Sequence, residues 1–126
     1  MKQIEKVLYD GFTYIDGGVC AAKGFRANGV YCGIKENPTK KPDLCLVASD
    51  KLCRAAGVFT SNKVKAAPVL VSKAHLEQTG GKAWGMVLSS KNANCCNADG
   101  IDKANRVCEL AAEQMGVQPE ELLRER

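Results

Sequence analysis

The chain has 126 residues, 45% apolar and 25% charged, which suits one small globular domain or part of a larger one. Its net charge of +4 comes from scattered basic residues, with no arginine-rich patch interleaved with aromatics, which argues against a nucleic-acid partner. The apolar runs fall far short of the ~20 residues a bilayer span needs, and the start "KQIEKVLYDG" is mixed and polar, so a soluble, cytoplasmic chain with no membrane partner is expected.

In chain order, the glycine-rich stretch "DGGVCAAKGFRANGVYCGIK" reads as short strands joined by tight turns. It holds neither G-x-x-x-x-G-K-[ST] nor G-x-G-x-x-G, so it offers no phosphate-cradling loop. "ENPTKKPD", residues 36–43, is a charged loop with two prolines. Apolar runs of strand length follow at 44–50, 54–62, 66–72 and 82–90, the third with Pro68 at its start or edge. Ser72 is expected to cap a short helix, "KAHLEQ", that stops at Gly80–Gly81. The strands are apolar on both faces, which suits a covered sheet.

The clearest helix covers 99–115. Ile101, Ala104, Val107, Cys108, Ala111, Ala112 and Met115 recur at steps of three and four and form one apolar stripe. Asp99 is the expected cap and Gly116 the expected stop. Pro119, with Glu120 and Glu121, opens a further helical turn with acids at its positive end. Strands followed by a long helix predict an α/β class: a layered sandwich of mainly β-sheet with a long C-terminal helix. One helix on one face leaves much of a sheet uncovered, so the arrangement is expected to be incomplete, a single partial domain over 1–126.

Seven cysteines stand at 20, 32, 45, 53, 95, 96 and 108, none in a C-x-x-C pair, beside one histidine. Zinc sites bring close ligand pairs, so no metal is expected. With no secretory signal, reduced thiols acting as small core residues are expected instead of disulfides. His75 sits on a polar stretch between Lys73 and Glu77 and reads as a surface helix residue, since no nucleophile is identifiable as its partner. Cys95 and Cys96 lie just ahead of the long helix, where a thiol can be activated, or can simply pack. Asn92 and Asn94 are turn formers that could also line a ligand crevice at a strand end.

"GGVCAAKGFRANGVYCGIK", "DLCLVASD", "AAGVFTSNKVKAAPVLVS", "GGKAWGMVLSSKNANCC" and "ADGIDKANRVCELAAEQMGVQPEELL" follow one another in a recognisable order and spacing. They resemble the N-terminal, α-chain part of the bifunctional ornithine acetyltransferase / glutamate N-acetyltransferase family of arginine biosynthesis, over residues 12–123. "GVFTSNKVKAAPV" and the "NAN" turn are the most specific stretches. The resemblance implies a precursor that cuts itself before a threonine, which then heads the β chain. That threonine takes an acetyl group from N-acetylornithine, or in some members from acetyl-CoA as substrate, and glutamate removes it in a ping-pong transfer. No cofactor is implied. The implied partner is the family β chain or the remaining C-terminal polypeptide, and the complete enzyme is expected to be an oligomer.

Two departures matter. Lys91 stands where the family usually has glycine; if that position has a positive φ, lysine costs about 1 kcal/mol. After "PEELL" the family continues into a strand bearing a threonine–glycine oxyanion pair, and "RER" stands in its place. The expected site contribution is therefore Asn92 and Asn94, a turn near the substrate, with no catalytic residue in the chain and Cys95 and Cys96 packing. The competing expectation is a truncated, non-catalytic paralogue acting as an interaction module.

Overall fold

The computed structural model describes residues 11–36, 40–91, 93 and 95–125. Four strands and two helices form a two-layer α/β arrangement, as the class expectation required. β1 is Phe25–Val30, β2 Leu44–Arg54, α1 Ala67–Gln78, β3 Lys82–Ser89, α2 Gly100–Met115 and β4 Leu122–Glu125. The sheet order is β1-β2-β3-β4; the first two pairings are antiparallel, and β3 and β4 run parallel, connected through α2. Parallel neighbours need such a crossover, whereas antiparallel ones do not.

Two strand expectations are corrected. The run at 66–72 is the first half of α1. Pro68 lies in the first helical turn, where no intrahelical N–H is needed and its fixed φ fits. Pro68, Val71, Ser72 and His75 are all buried, at helical spacing on one face. Ser72 is therefore inside a continuous helix and not its cap. Residues 55–62 form no strand either. Thr60 and Asn62 turn the chain locally: Thr60 Oγ1 accepts from the Asn62 N–H at 3.1 Å and Asn62 Oδ1 from the Val64 N–H at 3.0 Å.

β2 extends past 50 through an irregularity, its register with β3 shifting between Ala48 and Cys53. β2 and β3 approach closely at Gly85. A Cβ there would lie 2.3 Å from the Val47 carbonyl oxygen, so only glycine fits without moving the backbone.

α2 and its ends follow the sequence pattern. Ala104, Cys108 and Ala112 are buried one turn apart and meet Ala67 and Val71 of α1 and Leu122 of β4 in one core. Ile101, expected on that stripe, is 48% exposed. Gly116 ends the helix at φ 68, and the Val117 N–H donates back to the Ala112 carbonyl at 3.2 Å. This closure satisfies an orphan carbonyl and turns Val117 onto the core. Asp99 makes no side-chain cap; its carboxylate pairs with Lys103 at 2.6 Å, which holds it below its ordinary pKa. Pro119–Glu121 form the expected helical turn, closed by a reciprocal box between Gln118 and Glu121. "LLRE" then forms β4.

Among the described residues both helices pack on one face of the sheet, and no helix or strand covers the other. By register, Cys45, Val47, Met86, Leu88 and Leu123 share the face opposite Leu122, and each is only half-buried. The expectation of a sheet covered on both faces is met on one face only.

Candidate functional site

The turn leading from β3 into α2 is the predicted site region. Asn92 and Asn94 lie outside the described residues. Their frame is described. Ser90 N–H donates to the Asp43 carbonyl at 3.0 Å, tying the start of the turn to the entry of β2. Lys91 has φ 79, so the position where the resembling family usually has glycine does take the left-handed conformation that glycine accepts most readily. Cys96 has φ 60.

Because β3 and β4 are parallel, their C-terminal ends lie at this same edge, beside the turn. Strand C-terminal ends are where open α/β sheets place their ligands. Two polar groups organise the edge. Arg124 is buried; its guanidinium donates to the Ser89 hydroxyl at 2.8 Å, the Val87 carbonyl at 3.2 Å and the Glu125 carbonyl, and burial pushes its pKa down. The buried Asp43 carboxylate accepts from the backbone N–H groups of Cys32 at 2.8 Å and Lys35 at 2.9 Å. Burial by itself would raise its pKa, but these hydrogen bonds outweigh it and hold the group at about 2. A recess of about 100 Å³ lies between Pro68, Gly100, Lys103, Ala104, Val107 and Arg124. Asp43 and Arg124 were not singled out from the sequence; one lies at a strand entry after a proline and the other in the short β4, and neither carries a local motif.

A larger cleft lies elsewhere. It measures about 590 Å³, within the usual range for a small-molecule pocket, and is formed over β1 and β2 beside the end of α2. Leu46, Ala48 and Trp84 line it, with the Arg26–Asp50 ion pair (2.9 Å, exposed) among its lining residues.

His75 is corrected from surface to interior. It is 7% exposed, and its Nδ1 lies 2.7 Å from the Leu122 carbonyl oxygen. A carbonyl only accepts, so Nδ1 carries the proton. Cys108 Sγ donates to the same carbonyl at 3.8 Å and is fully buried, and that burial pushes its thiol up to about 11. The two side chains anchor β4 and do not form an activated thiol.

The cysteines as a group are also corrected. Only Cys108 is a buried core residue; Cys45 and Cys53 are half-buried, and Cys20, Cys32, Cys95 and Cys96 are exposed. Cys95 and Cys96 therefore do not pack inward. Among the described residues no group of three or more His, Cys, Asp or Glu side chains could hold a metal ion, and no helix is long and apolar enough to cross a membrane.

Residues 26–125 match the model of the ArgJ family. The chain is 47% identical over 100 residues to "Arginine biosynthesis bifunctional protein ArgJ 1" of Clostridium acetobutylicum, covering 79% of this chain and 24% of the relative. It is 43% identical over 113 residues to the ArgJ protein of Gloeobacter violaceus, covering 89% of this chain and 27% of the relative. It thus spans about a quarter of the length of these curated relatives. Among solved structures, the arginine biosynthesis bifunctional protein of Bacillus halodurans superposes with a TM-score of 0.78 at 31% identity, over 86% of this chain and 55% of that one. The ornithine acetyltransferase of Mycobacterium tuberculosis, solved in complex with ornithine, superposes at 0.72 and 35% identity, over 84% of this chain and 57% of that one. With a family match across most of its length and the same fold in two relatives, the chain belongs to the ArgJ family.

Proposed function

We propose that the chain is the N-terminal portion of an acetyltransferase that moves an acetyl group from N-acetylornithine, or from acetyl-CoA, to glutamate. The acetyl group passes from the donor to a threonine hydroxyl, releasing ornithine from N-acetylornithine or free CoA from acetyl-CoA. The glutamate amine then takes it and frees the hydroxyl for the next cycle. The carrier threonine and the oxyanion donors belong to polypeptide outside these 126 residues, in the family scheme a self-cleaved β chain. The observation that carries this reading is the likeness to the ornithine-bound relative over 84% of this chain and 57% of that one.

The structure adds support in its unfinished surfaces. Among the described residues no helix or strand covers the sheet face of Cys45, Val47, Met86, Leu88 and Leu123, and large apolar side chains elsewhere, such as Val58, Ile101 and Leu110, are exposed. An apolar sheet face left open in this way marks an interaction site. The partner that fits it is the remaining C-terminal polypeptide, and the completed enzyme is an oligomer. Seven free thiols suit the reducing cytoplasm.

The test is acetyl transfer from N-acetylornithine to labelled glutamate, with the chain alone and co-expressed with the C-terminal remainder of the Clostridium relative. Transfer is expected only in the second case, and acetyl-CoA as donor is scored in parallel. Activity of the chain alone would place the carrier hydroxyl within it and overturn the reading. Failure of the two pieces to associate would remove the half-molecule.

A further inference from the structure

Cys95 and Cys96 are neighbours in sequence, both are exposed, and their sulfur atoms lie 3.7 Å apart. Adjacent side chains of an extended chain point to opposite sides. The left-handed backbone at Cys96, φ 60, breaks that alternation and brings both sulfurs together. The hydrogen bond to Cys96 and, next, desolvation raise the Cys95 pKa.

Direct oxidation is a poor outlet for this pair. Adjacent Cα atoms lie about 3.8 Å apart across a trans peptide, short of the roughly 4.4–6.8 Å that ordinary disulfides span. A bridging atom larger than a bond relieves that constraint. Zinc takes four ligands, and among the described residues no third or fourth ligand gathers here. The remaining class is a soft centre satisfied by two sulfurs.

We propose that Cys95 and Cys96 form a two-thiol capture site for soft, thiophilic centres of this class, with trivalent organoarsenicals as its members. With an arsenoxide the two thiols form two As–S bonds. The arsenic–oxygen double bond breaks, and the oxygen leaves as water with both thiol protons. Arsenic stays trivalent, so no oxidant or reductant is needed. The other five cysteines are dispersed along the sequence and none has an adjacent thiol, which makes the site selective within the chain.

The test uses phenylarsine oxide on the 126-residue chain in excess monothiol, read by intact mass and peptide mapping. One adduct per chain is expected, mapped to the peptide carrying both cysteines, reversed by a small dithiol and retained against the monothiol. Cys95→Ser and Cys96→Ser should each lose it while keeping the wild-type circular dichroism. An adduct retained in both serine variants, no adduct on the wild type, or a purified chain already closed as a Cys95–Cys96 disulfide would each overturn the proposal.

Discussion

Ser72 Oγ and the main chain of Arg124, 52 residues apart, exchange two hydrogen bonds: the hydroxyl donates to the Arg124 carbonyl at 2.7 Å and accepts from the Arg124 N–H at 2.8 Å. With His75 on the Leu122 carbonyl, α1 supplies by side chain what a fifth strand would supply by backbone. The outer edge of β4 is thereby closed to further pairing. Ser72→Ala leaves a buried donor and acceptor unmatched and should destabilise the chain by about 1–3 kcal/mol. The midpoint of urea unfolding measures it, and an unchanged midpoint would show that the staple contributes nothing.

Lys91 holds a positive φ of 79 without being glycine. Lys91→Gly should stabilise the chain by about 1 kcal/mol, because the left-handed conformation costs an L side chain roughly that much. Thermal unfolding of the variant decides the sign.

Gly85→Ala should act in the opposite direction. Its Cβ would meet the Val47 carbonyl 2.3 Å away, so β2 and β3 must part locally. Faster amide exchange at Val47 and Ala48 is expected, together with a lowered melting temperature. Exchange as slow as in the wild type would mean that the strands already stand further apart.

Asp43 makes stability depend on acid. Its folded pKa of about 2 lies below its ordinary value of 3.8. Its contribution is therefore fully present above pH 3.8 and is lost as pH falls through about 2. Asp43→Asn should weaken the chain at neutral pH and flatten this acid limb. Equilibrium unfolding of both proteins between pH 2 and pH 6 tests it.

Cys108 should resist alkylation in the native chain, being fully buried with a thiol pushed up by that burial to about 11. The exposed cysteines should label first with iodoacetamide, and Cys108 only on unfolding. Early labelling of Cys108 would mean that α2 opens readily from β4.

Residues whose role is set within one turn of backbone were legible in the sequence. The Ala104–Cys108–Ala112 stripe, the Gly116 stop and the Pro119 turn all follow from local periodicity or local turn chemistry, which nearest neighbours dictate, whereas the special backbone at Lys91 was flagged only by the glycine that the resembling family carries there. The run at 66–72 is helical although its length suits a strand, because a short apolar stretch satisfies both periods. The spacing of Pro68, Val71, Ser72 and His75 held the answer, and it becomes decisive only when those four side chains are known to share a buried face. Only the tertiary structure could reveal that face, since what Ser72 and His75 bind are backbone groups of β4, 52 and 47 residues away. It also decided that Cys95 and Cys96 are exposed and that Asp43 anchors a loop. Burial and hydrogen-bond partnership depend on which distant segments the chain brings together, and no local pattern encodes that.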